Sequence, residues 1–241
     1  MSERIIPADK SIILGADLPP EDFPNLVRPM AEVEAVSAVK IGFEVAFGGL
    51  QEAVDIVKSV RSNLVTIYDH QKAGNDIDKT EIGFARGMKR AGIDAAILFP
   101  FTGKPVQSRW TAELQDNEIG VIVGSEMTHP GFRESEGGRI SDKMLMDIFE
   151  QAIGEGVTDF VVPGNKPDKV DEYRRYFEAE LGKGNFTLYA PGFIDQGGEI
   201  SEAGKAAGDN WHAIVASAIA EAEDKAAMAT ELGRQITTEK P

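Results

Sequence analysis

Leu64-Val65-Thr66-Ile67-Tyr68-Asp69-His70-Gln71-Lys72-Ala73-Gly74-Asn75-Asp76 decides how this chain folds. Its first five residues form a β-branched apolar run bounded by polar residues, the pattern of a buried strand. Two carboxylates and an ammonium follow at once. A charged cluster at the C-terminal end of a buried parallel strand stands where α/β folds place their chemistry. An isolated ammonium there is disfavoured by desolvation, so flanking carboxylates are needed to keep it charged. The plainer reading is a surface salt bridge in a loop, and the rest of the chain chooses between the two.

Working outward, short apolar runs recur at Ile12–Leu14, Ala35–Ile41, Leu64–Tyr68, Ala95–Leu98, Gly120–Val123, Asp159–Val162, Thr187–Ala190 and Ala213–Val215. Amphipathic stretches lie between them, among them Leu50–Val60, Glu81–Ala91, Lys143–Ile153, Pro167–Glu180 and Ser217–Leu232. Strands alternating with helices imply βαβ units, a parallel sheet and right-handed crossovers. Eight units in 241 residues favour a closed (β/α)8 TIM barrel over an open doubly wound sheet. Pro24 is placed to open the first helix, and Gly92 and Gly156 to end later ones. Ser141-Asp142 and Ser201-Glu202 read as helix starts. With no linker or composition break, residues 1–241 read as a single domain whose tail, 237–241, is frayed.

Composition narrows the function. With 42% apolar and 27% charged residues the chain can bury a sizeable core. Its net charge of −15 argues against nucleic acid and against an anionic membrane as partners. It contains no cysteine, which excludes disulfides, thiol nucleophiles and cysteine metal sites. The three histidines, His70, His129 and His212, lack metal-ligand spacing. There is neither a signal-peptide pattern nor an apolar run of membrane-spanning length, so a soluble cytoplasmic protein is expected.

In a barrel of this kind the residues just after each strand carry the chemistry. Asp17 closes the first apolar run, and Lys40 stands inside the second, where a lysine must be paired. Asp17, Lys40, Asp69 and Lys72 would then form an alternating array whose members hold one another ionised. Thr128, in Glu126-Met127-Thr128-His129-Pro130-Gly131, could bond a heterocycle edge or simply cap a Pro-Gly turn. Pro191-Gly192-Phe193-Ile194-Asp195-Gln196-Gly197-Gly198 offers free backbone amides after the seventh strand, where barrels often bind phosphate.

Taken together, these motifs resemble orotidine 5′-monophosphate decarboxylase, and its archaeal forms most. The resemblance runs nearly end to end, through Ala16-Asp17, Val39-Lys40-Ile41-Gly42, Tyr68-Asp69 to Asp76-Ile77, Glu126 to Gly131, and Pro191-Gly192 with Gln196-Gly197-Gly198. It implies a homodimeric barrel that removes CO2 from orotidylate to give UMP, in pyrimidine biosynthesis, without metal or cofactor. By motif, Lys40, Asp69, Lys72 and Asp76 match the catalytic array, with Asp76 reaching into the partner's site. Asp17 matches a ribose or array contact, and Ile77 and Thr80 match substrate contacts, Thr80 across the dimer. Thr128 stands at the pyrimidine-binding hydroxyl position. Gln196, with Pro191, Gly197 and Gly198, matches the loop over pyrimidine and phosphate, and Ala216 and Ser217 match the phosphate end.

The implied chemistry suits these residue types. Losing CO2 leaves an electron pair on C6, which an ammonium at Lys72 would stabilise and protonate. Asp69 keeps Lys72 charged and lies against the substrate carboxylate. Phosphate binding far from C6 supplies remote energy to close the loop.

Two departures stand out. The family spacing is Asp-x-Lys-x-x-Asp, whereas here it is Asp-x-x-Lys-x-x-x-Asp, so a bulge or loop start at His70-Gln71 must bring Asp69 and Lys72 together. The family also has Gly-Arg after the eighth strand, where this chain has Ala216-Ser217. A serine hydroxyl replaces a bidentate guanidinium, so weaker phosphate binding is expected. Arg133 and Arg139 are the candidates to compensate. Two other readings remain: a Mg2+-dependent hexulose-phosphate synthase or keto-gulonate-phosphate decarboxylase relative, and a non-catalytic or impaired nucleotide-binding barrel.

Overall fold

The apolar runs become parallel strands that close on themselves. A computed structural model describes residues 4–69, 73–77, 79–193 and 199–237. Its strands are β1 (Lys10–Ala16), β2 (Val36–Ile41), β3 (Val65–Tyr68), β4 (Ala95–Leu98), β5 (Gly120–Gly124), β6 (Asp159–Val161), β7 (Thr187–Ala190) and β8 (Trp211–Val215). Each pairs in parallel with the next, and β8 returns to β1, so the barrel is closed. Around it run α1 (Phe23–Val27), α2 (Phe43–Val60), α3 (Thr80–Ala91), α4 (Lys104–Asp116), α5 (Asp142–Gly154), α6 (Pro167–Leu181), α7 (Ile200–Ala207), α8 (Ser217–Ala220) and α9 (Lys225–Thr237).

Differences from the sequence reading have local causes. α2 starts at Phe43 rather than Leu50, because its first turns join the rest across a kink at Gly49, whose φ is 136°. The single helix expected from Ser217 to Leu232 is two, α8 and α9, separated by Glu221 to Asp224. α4 has a weakly amphipathic, largely polar sequence and gave no clear periodic signal. Gly92 ends α3 in the left-handed conformation with its N–H on the Lys89 and Met88 carbonyls, as expected of a C-terminal glycine. Thr237 still belongs to α9, its hydroxyl donating to the Gly233 carbonyl at 3.0 Å; the remainder of the expected tail lies outside the described residues.

Strand periodicity of two sorts the side chains. Ile12, Leu14, Val39, Ile41, Tyr68, Val123, Phe160, Leu188 and Val215 face the helices. Ile13, Ala38, Ile67, Ile97, Ile122, Val161, Tyr189 and Ile214 fill the barrel. Continuing each interior row toward the C-terminal strand ends brings Lys40, two residues after Ala38, and Asp69, two after Ile67, to the mouth. The fold therefore aims both charges inward by register alone.

The opposite, N-terminal end of the interior is also polar. Tyr189 donates its hydroxyl to Asp159 Oδ1 at 2.9 Å, Thr158 donates to Asp159 Oδ2 at 2.9 Å, and Ser11 Oγ meets His212 Nδ1 at 2.8 Å. Burial pushes the Asp159 carboxyl up to about 6, outweighing those two hydrogen bonds and the Arg4 charge. Burial likewise lowers His212 to about 3.

The folded protein holds the Asp159 proton more tightly than the unfolded chain does. Its contribution to stability is therefore complete below pH 3.8 and is lost as pH rises through about 6. His212 acts in the opposite sense, its contribution lost as pH falls from 6.5 toward about 3. Asp159→Asn removes the first dependence and leaves the second. Urea unfolding at about pH 4 and about pH 7.5 is expected to show the variant gaining on the parent by on the order of 3 kcal/mol across that interval. A pH-independent difference contradicts the assignment.

Candidate active site

Three neighbouring strands build the charged centre. Lys40 Nζ donates to Asp69 Oδ2 at 2.8 Å and to Asp17 Oδ2 at 3.3 Å. Asp17 follows β1 and Asp69 follows β3, the two strands flanking β2, so adjacency in the barrel makes the contact. Lys40 is only 8% exposed and Asp69 7%, whereas the Asp17 side chain stands 49% exposed at the rim. Burial would lower the pKa of Lys40, but Asp69 first and then Asp17 more than offset it and hold the ammonium above the ordinary lysine value. Gly42 makes room for this arrangement: a Cβ there would lie 1.7 Å from Asp17 Oδ1.

These residues open into a cavity of about 200 Å³. Lys40 and Asp69 form one wall, Ile97 and Phe99 the floor toward β4, and Glu126, Met127 and Thr128 the wall after β5. Pro191, Gly192 and Phe193 close it after β7, and Ala216 and Ser217 after β8. Asp17, Lys40, Asp69, Thr128, Pro191, Ala216 and Ser217 are thus brought to one mouth. Ser217 also borders a second cavity, about 640 Å³, lined by Asp17, Asp22, Glu221 and Lys225 among others.

Three other expected residues lie elsewhere. Asp76, Ile77 and Thr80 do not line the cavity. Asp76 is exposed and accepts the Ile77 amide on its own Oδ1 at 2.7 Å, and Thr80 Oγ1 donates to the Ile77 carbonyl at 2.6 Å. Lys72, Gln196, Gly197 and Gly198 lie outside the described residues, as does the bulge expected at His70-Gln71.

Arg133, one of the two arginines expected to reach the phosphate end, lines neither cavity. Its guanidinium is drawn back onto Glu126, onto the Tyr173 hydroxyl at 2.8 Å and onto Asp142 Oδ1 at 3.1 Å. Arg139 is exposed and lines neither cavity. The ionic cluster itself was missed as a unit. In the sequence Glu126 is only part of the Glu126–Gly131 motif, and nothing in the spacing of Lys166 or Tyr173 points to the cluster.

The model of the orotidine 5′-phosphate decarboxylase / HUMPS family matches residues 10–232. This chain belongs to that family. The orotidine 5′-phosphate decarboxylase of Methanosarcina mazei is 29% identical over 206 residues, 86% of either chain. That of Pyrococcus abyssi is 29% identical over 231 residues, 95% of this chain and all of its own. Among solved structures, orotidine 5′-monophosphate decarboxylase of Methanocaldococcus jannaschii, crystallised with the inhibitor BMP, superposes with a TM-score of 0.79 at 21% identity, covering 96% of this chain and 100% of that one. That likeness confirms the closed barrel.

Within this member of the decarboxylase/HUMPS family the lysine is what makes the buried Asp69 tolerable. Removing it leaves two carboxylates facing each other with no cation between them among the described residues. Lys40→Met is expected to lower the unfolding free energy by about 3 kcal/mol, read by urea denaturation. Unchanged stability would mean that the lysine does not screen Asp69.

Proposed function

We propose that this protein decarboxylates orotidine 5′-monophosphate to UMP as a carboxy-lyase of pyrimidine biosynthesis. The carrying observation is the buried Lys40 ammonium between Asp17 and Asp69, in the wall of a cavity that also presents Thr128 and Ser217. The curated relatives are named for the same reaction.

In this reading the pyrimidine occupies the cavity against Thr128, and the ribose 5′ end extends toward Ser217. Asp69 Oδ1 is buried and has no partner among the described residues, which leaves it for Lys72 in the segment after β3. Its charge lies against the departing carboxylate. The C6–carboxylate bond breaks, CO2 leaves, and the electron pair stays on C6, where the Lys72 ammonium stabilises it and delivers a proton. The neutral lysine recovers its proton from water. Lys40 fixes Asp69 throughout.

No cofactor is proposed. Lys40 fills the space between the Asp17 and Asp69 carboxylates. A lysine cation already standing there supports the metal-free reading over the Mg2+-dependent one. No described helix is long and apolar enough to cross a membrane.

Loss of orotidylate absorbance on adding the pure protein, undiminished by EDTA, is the test. Binding without turnover would support the non-catalytic barrel, and loss of activity with EDTA the metal-dependent one. Ser217→Arg restores the guanidinium and is expected to lower KM about tenfold with kcat changed less than twofold. An unchanged KM would discard the idea that Ser217 limits the phosphate grip.

The working unit is proposed to be a homodimer in which Asp76 and Thr80 enter the partner's site. Phe43 and Phe47, whose ring centroids lie 5.8 Å apart, are 50% and 77% exposed after β2, and Ile77 is 69% exposed after β3, apolar surface suited to a second copy. Lys40→Met and Asp76→Asn are each expected to be inactive alone. Mixed and reassorted, they should recover about a quarter of parental activity, because half of the dimers then carry one intact site. No recovery would place Asp76 in its own subunit's chemistry or in none.

A further inference from the structure

One buried carboxylate at the cavity wall has no part in the proposed reaction. Glu126, two residues beyond β5, has a fully buried side chain. Its Oε2 accepts from the Arg133 guanidinium and from the Tyr173 hydroxyl at 2.6 Å, and its Oε1 accepts from Lys166 Nζ at 3.0 Å. With three donors on two oxygens it has little left to offer a substrate. Burial would raise its carboxyl, but these donors hold it below the usual range, so it stays ionised.

The donors come from three separate places. Arg133 belongs to the long connection between β5 and α5, Tyr173 to α6, and Lys166 to the turn between β6 and α6. Each is held again further out. Arg133 reaches Asp142 at the start of α5, Lys166 donates to Glu136 Oε1 at 3.2 Å, and the Ser135 backbone and hydroxyl both donate to Asp142. Tyr173 is fixed by Phe149, whose ring centroid lies 5.2 Å away.

Thr128 sits inside this frame. Asn165, next to Lys166, donates Nδ2 to the Thr128 carbonyl at 3.1 Å. Gly192 backs onto the same residue: its φ is 103°, and a Cβ there would come 3.0 Å from Thr128 Cγ2 and 3.2 Å from Asn165 Oδ1. Three connections therefore meet at Thr128, and the charge that ties two of them is on Glu126.

We propose that Glu126 is a positioning residue: by holding Arg133, Tyr173 and Lys166 it fixes the Thr128 segment as a rigid wall of the pyrimidine pocket. That Thr128 meets a pyrimidine rests on the proposed function; that Glu126 anchors the segment does not. The serine-for-arginine departure makes such a wall more consequential, since binding energy missing at the phosphate end must come from a well-ordered base end.

The experiment compares Glu126→Gln with the parent by amide hydrogen exchange across residues 127–140 and by calorimetric titration with UMP. Exchange in the variant is expected to quicken at least tenfold there and the UMP Kd to rise about tenfold. In a Thr128→Ala background the same change should leave the Kd within about twofold, because the effect travels through Thr128. Unchanged exchange overturns the proposal, and so does a Kd effect that persists in full without the threonine hydroxyl. Should Glu126→Gln not fold, Tyr173→Phe keeps both ion pairs and removes one donor; quickened exchange confined to 127–140 supports the proposal, and parental exchange overturns it. If the parent binds no UMP, the nucleotide reading fails while the exchange comparison still decides the anchoring.

Discussion

A lysine ammonium can remain charged in a mostly dry barrel mouth only if anions stand beside it, and this fold is organised around that requirement. Lys40 is placed by the inward row of β2, and the two carboxylates that hold it come from the strands on either side. A closed parallel barrel supplies both neighbours without further design, because β2 has no free edge. Asp69 depends on the same contact in return, since at 7% exposure it has little water to lean on. The pair is therefore a structural as well as a chemical unit.

The barrel interior shows the same economy along its length. Apolar side chains fill the middle, and polar groups occupy both ends. At the N-terminal end they are closed in, with Asp159, Tyr189, His212 and Ser11 bonded among themselves. At the C-terminal end they face a cavity. The contrast between two buried carboxylates at that mouth is instructive. Glu126 has its oxygens taken by three donors, while Asp69 has one oxygen engaged by Lys40 and the other without a partner among the described residues. Saturation suits a brace, and spare acceptor capacity suits a site.

Much of this was legible in the sequence because it follows from period and order. Alternating apolar runs located the eight strands to within a few residues, and the rule that barrel chemistry follows the strands singled out Asp17, Lys40, Asp69 and Thr128. What escaped depends on contacts between residues distant in the chain. The Glu126–Tyr173 and Glu126–Lys166 bonds span 47 and 40 residues, and no local spacing announces them. Arg133 looked available from its place in a loop, and only the fold reveals that its guanidinium is spoken for. α4 was missed for another reason: its polar sequence buries a narrow stripe, Gln107, Trp110, Thr111 and Leu114, rather than a broad apolar face.

Family membership and geometry together leave one question that dominates the others: whether the charged centre beside Thr128 is where a nucleotide is handled. A crystal structure of the protein soaked with UMP answers it directly. The pyrimidine is expected within contact of Thr128, its C6 edge facing the Asp69 side of the cavity, and the phosphate beyond Ser217. A nucleotide bound away from Lys40 and Asp69, or the Lys40 ammonium withdrawn from both carboxylates in that complex, would contradict it.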